Sequence, residues 1–280
     1  MARSLWSHRE LIGQFARREV AVRHRGSHLG VLWAALHPLL LLAVYTFVFA
    51  VVWQARWSTP ATDPAAPGAA PAGGTGEFAL NVLCGIALFE VFSATISVAP
   101  SLIVNNPNYV KKVVFPLEIL PLATLLSSAA LASISLLVLL LGNAVIGSGV
   151  SRTLYLFPLV LLPLLMLTAG LAWLLASLGV FLRDLKQLVS GIVLQVLFLL
   201  TPIFYPVERL EASPHIPDVA KALLRLNPLA GIVEGGRRTL LHGREPDWAA
   251  LAISAAAGAA AMILGYAFFM KSKRGFADVI

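Results

Sequence analysis

Charge is scarce in this chain: Asp, Glu, Lys and Arg make up 12% of its 280 residues, well below the quarter (about 25%) usual in soluble domains. A single cysteine, Cys84, excludes any disulfide within the chain and leaves its redox compartment open. No Gly-Lys dipeptide occurs, which excludes a phosphate-cradling Walker loop and ATP binding by that route. The one histidine pair at metal-ligand spacing, His24 and His28, is interrupted by Gly26 and lacks the Glu that follows the first His of a metalloprotease helix. No metal site is expected. His37, next to Pro38, reads as a hydrogen-bonded helix residue. Residues 1–28 lack an apolar core and so are not a cleavable signal peptide.

What is present is apolar. Hydrophobic residues make up 58% of the chain and gather into six runs, at about residues 29–53, 78–104, 113–147, 153–182, 187–206 and 248–270, whose only charges are Glu90 and Glu118. Roughly 20 apolar residues cross a bilayer, and hydrocarbon forces each run to satisfy its backbone internally as a helix. The fold expected is an all-α polytopic membrane protein with six transmembrane helices. Of 21 Lys and Arg, 13 fall in the first tail (Arg3, Arg9, Arg17, Arg18, Arg23, Arg25), after the second run (Lys111, Lys112), after the fourth (Arg183, Lys186) and in the last tail (Lys271, Lys273, Arg274). Cytoplasmic loops retain positive charge during insertion, so these gaps and both termini are expected inside the cell. The net charge of +7 is thereby explained by insertion and by anionic membrane lipids, with no nucleic acid.

Four stretches break the monotony of the runs. Residues 1–28 read as an amphipathic helix on the inner face, with Ser7 and Glu10 as a capping box and Leu11, Ile12, Phe15 and Val22 near helical spacing. The loop 54–77 is rich in Pro, Ala and Gly and offers nothing to bury. The turn NNPNYVKKVVFP (Asn105 to Pro116) suits a short helix starting at Pro107, capped by Asn105 or Asn106. The fifth run is interrupted by Pro202 and Pro206, and the segment after it is too apolar for a free loop and too polar to span. Residues 207–243 therefore read as short re-entrant or interfacial outer helices between transmembrane helices 5 and 6.

Within the runs, Glu90 is a costly charge at mid-membrane and reads either as paired helix packing or as a polar mark on a conduit. Phe198, Phe204, Tyr205, Trp53 and Trp57 mark the outer boundary, as an interfacial belt or, for some, as conduit walls suited to sugar rings. Ala257, Ala261 and Gly265 lie four apart and form a face for close helix contact.

Five segments taken together resemble a known family: RHRGSHLGVLWAALHPLL (Arg23 to Leu40), NNPNYVKKVVFPLEILPL (Asn105 to Leu122), FLRDLKQL (Phe181 to Leu188), TPIFYP (Thr201 to Pro206) and LNPLAGIVEGGRRTLL (Leu226 to Leu241). They run, in order, like the permease subunit of bacterial ABC transporters that export O-antigen, capsule or teichoic acid. His24 stands where many members have Tyr, and the loop 58–76 is longer than usual. The resemblance implies a homodimer of six-helix subunits in the inner membrane, with a conduit at their interface. Each subunit would bind a separate cytoplasmic ATP-binding cassette subunit, two copies in all, which would hold ATP and Mg; this chain would have no cofactor and would not be an enzyme. Residues 1–28 would be an interface helix, notably Arg17, Arg18, Arg23 and Arg25, followed by a permease domain over 29–280 with a cytoplasmic tail at 271–280. The coupling helix would span 105–112, with Asn106, Pro107, Asn108, Tyr109, Val110, Lys111 and Lys112 docking on the ATPase. Arg183 and Asp184 would pair at the conduit entrance, and the outer gate, in 201–243, would use Pro202, Phe204, Tyr205, Asn227 and Pro228.

The expected cargo is a lipid-linked polysaccharide whose anionic diphosphate meets the basic inner rim. Two other readings stay open. An ABC permease for a small molecule or drug would need a closed apolar cavity in place of an aromatic-lined tube. A membrane enzyme acting on lipid-linked sugars would need converging carboxylates or a His/Asp cluster, whereas Glu208, Glu211 and Asp218 are interleaved with Arg209 and Lys221.

Overall fold

Runs with no polar alternative for their backbone fold as helices, and no strand occurs among the described residues of the computed structural model, which are 8–23, 32–54, 57, 74–111, 115–147, 149 and 151–279. The elements are α1 (Arg9–Arg23), α2 (Leu32–Tyr45, continuing as a π-helical turn over Thr46–Val52), α3 (Thr75–Ile96) and the short α4 (Pro107–Lys111). They continue with α5 (Ile119–Ile146), α6 (Phe157–Phe181) and α7 (Leu185–Leu200, π-helical over Val189–Val193). Beyond lie α8 (Val207–Ala212), α9 (Asp218–Leu226), α10 (Pro228–Leu240), α11 (Trp248–Ser272) and α12 (Phe276–Val279). Among the described residues, four helical stretches are long and apolar enough to cross a membrane: Thr75–Ser101, Ile119–Ile146, Arg152–Phe181 and Trp248–Gly275. Leu36–Val52 and Leu185–Leu200 are shorter apolar helices. The capping residue Ser7 and most of the loop 54–77 lie outside the described residues.

The core is organised around α3, which is buried on nearly every face and packs against α2, α5, α6 and α10. Helices α6 and α11 make the most extensive pairing, at backbone contact. A Cβ added at Gly265 would overlap the Gly170 carbonyl, one at Gly170 would overlap Ala261, and one at Gly258 would come within 2.8 Å of the Pro163 carbonyl oxygen. Gly258, Ala261 and Gly265 meet α6 at this seam, so Gly258 joins the face expected from the sequence, while Ser254 donates to the Pro228 carbonyl of α10 at 2.9 Å. A strict spacing of four drifts around a helix of about 3.6 residues per turn, and mixing threes with fours keeps the face straight.

The chain ends meet at one end of the bundle. Helix α1 packs on the first turns of α5, α12 touches α4, and Lys273 Nζ donates to Glu118 Oε2 at 2.7 Å. At the other end Asn143 and Thr153 donate to the carbonyls of Leu240 and Thr239, tying α5 and the start of α6 to α10. Large apolar side chains stay exposed on α2, α5, α7 and α11, among them Phe47, Leu141, Leu199 and Leu264, as suits a surface facing lipid or another chain.

Candidate functional site

Three arrangements lie along the long axis of the bundle. At the end where the chain termini meet, α4 begins at Pro107, whose missing N–H costs nothing in a first turn. Asn106 does not cap it by its side chain; that amide donates back to the Leu102 carbonyl at 2.8 Å. Tyr109 stacks on Phe115 with ring centroids 4.6 Å apart and meets Phe15 of α1 edge-on at 5.6 Å, while Arg18 donates to its hydroxyl at 3.1 Å. One residue on, Glu19 accepts from Thr124 of α5 at 3.0 Å. The helix α1 is therefore clamped both to α4 and to α5. Arg17, Pro107, Asn108 and Lys111 are exposed, and Val110 is half-buried. Arg25, Lys112 and the side chain of Arg23 lie outside the described residues.

In the middle, an open groove of about 760 Å³ runs between α2, α3 and α7. Its walls are aromatic. Phe204 stacks on Phe49 at 4.9 Å, meets Tyr45 at 4.8 Å and Phe198 at 5.4 Å, and Phe198 continues to Phe89 at 5.3 Å. Glu90, Ser93, Gln195 and His37 line the same groove. The Glu90 carboxylate accepts from buried Ser135 of α5 at 3.4 Å, which orients it from behind. Rings with polar neighbours spaced along a wall offer stacking surface and hydrogen-bond sites at once. The π-helical turn of α2 brings Phe49 to the groove, a local widening of the kind often found at functional sites, and that of α7 ends next to the lining residue Leu194. His37, expected as a hydrogen-bonded helix residue, is helical but exposed, and it lines the groove.

At the far end, α7 stops at Leu200 and the chain runs irregularly to Pro206, with Thr201, Pro202 and Ile203 buried. Asn227 caps α10 by accepting from the Leu229 N–H at 3.0 Å, and its amide reaches the Thr201 hydroxyl at 3.4 Å. Pro228 opens α10 at its first position. Tyr205 donates weakly to the Leu199 and Leu200 carbonyls that the missing turn leaves free, at 3.3 and 3.4 Å. The fully buried Arg237 completes this end, with its guanidinium carbon 4.4 Å from the centre of the Trp57 ring. Trp57 is itself buried, so it does not belong to an interfacial belt; Trp53 is exposed. On the exposed α8–α9 face, Glu211 accepts from Arg225 at 2.8 Å, and that bond pushes the Arg225 pKa up. Among the described residues no group of three or more His, Cys, Asp and Glu converges as metal ligands would.

The family described as ABC-2 type transporter matches residues 10–241, a stretch that takes in all three arrangements. The chain belongs to the ABC-2 transporter membrane family. It is 27% identical over 280 residues to the O-antigen export system permease protein RfbA of Myxococcus xanthus, covering 100% of this chain and 99% of the relative. Two proteins of that name from Klebsiella pneumoniae are each 25% identical over 273 residues, covering 97% of this chain and 95% of theirs. An ABC-2 chain is a multi-pass membrane transport subunit rather than an enzyme.

For this ABC-2 chain, the structure gathers three of the residues singled out by sequence, Glu90, Phe198 and Phe204, into one groove. Pro202, Tyr205, Asn227 and Pro228 gather at the break that follows α7. Arg183 and Asp184 sit exposed in the α6–α7 turn with no ion pair between them; the Asp184 main-chain carbonyl accepts from the Gln187 and Leu188 N–H groups, and its side chain makes no capping bond. Sequence reasoning missed Tyr45, Phe49 and Phe89 as partners of these rings, and Arg237 altogether. The available signal for Arg237 was a cation nine residues past Pro228 in a largely apolar, Gly-rich helix, three residues after Glu234.

Proposed function

We propose that this chain is the permease subunit of an ATP-driven exporter that moves a lipid-linked polysaccharide, O-antigen-like, out of the cytoplasm across the bacterial inner membrane. The observation that carries the reading is the open, aromatic-walled groove with its single carboxylate, Glu90. The printed names of the relatives point the same way. In this reading α2, α3, α5, α6, α7 and α11 are six crossings, both ends face the cytoplasm, and α8–α10 are outer gate helices that re-enter without spanning. A short α7 fits a crossing cut by Pro202: residues 185 to 200 at about 1.5 Å each reach roughly 24 Å of a roughly 30 Å core. A second copy, contributed through the exposed flanks of α2 and α7, closes the groove into a conduit. Two cytoplasmic ATP-binding subunits, holding ATP and Mg, dock on α4 and α1, and the exposed Lys111, Arg17, Arg18 and Arg183 receive the anionic diphosphate and the partner's acids.

The chemistry asked of this chain is positional. Saccharide rings present flat apolar faces to Tyr45, Phe198 and Phe204, and their hydroxyls bond Glu90, Ser93 and Gln195. Such contacts are individually weak and repeat along the wall, which suits a polymer passing in steps. A groove open along its side favours a polymer over a small molecule, which calls for an enclosed cavity. The test is reconstitution of the chain with its ATP-binding partner in vesicles loaded with lipid-linked polysaccharides. Phe198→Ala with Phe204→Ala should lower polymer export about tenfold, the loss of ring contacts worth roughly 0.5–1.5 kcal/mol each, while partner binding persists. Unchanged export by that variant sinks the groove as the conduit, and export of a drug-sized compound in preference to polymer sinks the substrate class.

A further inference from the structure

We infer that Arg237 is the positioning residue that holds the outer break of α7 closed, and that Glu234 is the counter-charge through which the hold is released. The inference rests on the transport reading only in taking 201–206 as a gate. Ile203 is fully buried where the helical ladder has ended, so its carbonyl needs a partner from elsewhere. Arg237 Nη2 supplies it at 2.7 Å, and Nε donates to the Asn81 carbonyl of α3 at 3.1 Å. One side chain on α10 thus staples the end of α7 to α3, and the planar fork of a guanidinium reaches both acceptors at once.

Room for the fork is made by Gly85, where a Cβ would stand 3.2 Å from Nη2 and from the Ile203 Cα. The remaining nitrogen, Nη1, is 3.6 Å from Glu234 Oε2, and neither buried atom has a hydrogen-bond partner. Glu234 is shared: its other oxygen lies 3.5 Å from Arg238 Nε, and Arg238 in turn lies 3.2 Å from Glu208 of α8. The carboxylate stands between two cations and is committed to neither. A small displacement of α8 that draws Arg238 and Glu234 outward removes the counter-charge from Arg237 and weakens its grip; the reverse displacement tightens it. A buried arginine in a static brace is expected to have its ion pair made at hydrogen-bond distance, and here the pair is the one unmade contact.

The experiment uses the full chain with its ATP-binding partner in vesicles, with Cys84→Ser and a reporter thiol from Ile203→Cys, read by the rate of labelling with a membrane-impermeant maleimide without nucleotide. The parent should label slowly. Arg237→Met should label on the order of tenfold faster, the scale set by losing one charge-assisted hydrogen bond to the gate, with Arg237→Lys restoring part of the protection. Glu234→Gln should also speed labelling. Gly85→Ala, which keeps every charge and displaces the fork, should act in the same direction and decides the matter if Arg237→Met fails to assemble. Parental labelling rates in an assembled Arg237→Met or Gly85→Ala complex overturn the inference. No polymer is needed for the readout, so failure of polymer export would count against the substrate reading alone.

Discussion

Glu118 is a carboxylate at the N-terminal end of α5 that its apolar surroundings cannot hydrate, and Lys273, 155 residues away, reaches in to meet it at 2.7 Å. The backbone carbonyl of Glu118 also accepts from the buried Trp173 indole at 2.9 Å. Lys273→Met leaves the carboxylate uncompensated and should destabilise the chain by about 2 kcal/mol, a typical cost for an orphaned buried polar group. Adding Glu118→Gln should recover much of that loss, so a double-mutant cycle of melting in detergent should show strong coupling between the two positions. The sequence marked Glu118 as one of two charges within the apolar runs and left its partner unread, because pairing 118 with 273 requires the α6–α11 seam first. Glu90 was readable from the cost of a charge at mid-membrane, and Arg237 was not. Its segment carries as many acids as bases and looks solvated until α10 folds under Trp57 and beside Gly85.

Among the elements, α6 and α11 depend most on side chains that are absent. Gly265→Val forces a side chain into the Gly170 backbone, and the seam has no flexible neighbour to yield. This variant should fail to accumulate in membranes, as judged by the amount of folded chain recovered. Gly13→Ala in α1, where the added methyl meets nothing, should instead be stabilising by up to about 1 kcal/mol from helix propensity alone. Helix α7 shows how far the sequence can be followed. Pro202 and Pro206 announced its interruption, and the observed end at Leu200 agrees. That short helices lie between α7 and α11 was equally legible from their mixed polarity, whereas Gly258 was left out of the face of α11 because small residues crowd the whole stretch from 254 to 261.

At the scale of the whole molecule, the ring trio of Phe15, Tyr109 and Phe115 joins α1, α4 and the approach to α5 at the end where the ATP-binding partner is proposed to dock. Phe15→Ala removes two ring contacts from this clamp without touching the exposed face of α4. The partner should still co-purify, and its ATPase should continue, while transport per ATP falls severalfold, the effect of loosening a link worth roughly 1–3 kcal/mol. Equal loss of ATPase and transport would instead mean that Phe15 serves docking itself.

The glycine seam has a mechanical consequence for such a cycle. With Gly170 and Gly265 touching through their main chains, α6 and α11 behave as one keel, and α3 is wedged against it by its own enclosed surface. Freedom to shift is left to α2 and α7, where among the described residues only Pro38, Val189 and Leu194 are buried and the rest of the inward face, the ring cluster around Phe204 included, is partly exposed. A passage with one stiff wall and one yielding wall widens and narrows by moving the yielding side, so in the proposed transport cycle the stroke would be spent on a pair of thin helices and not on the body of the protein.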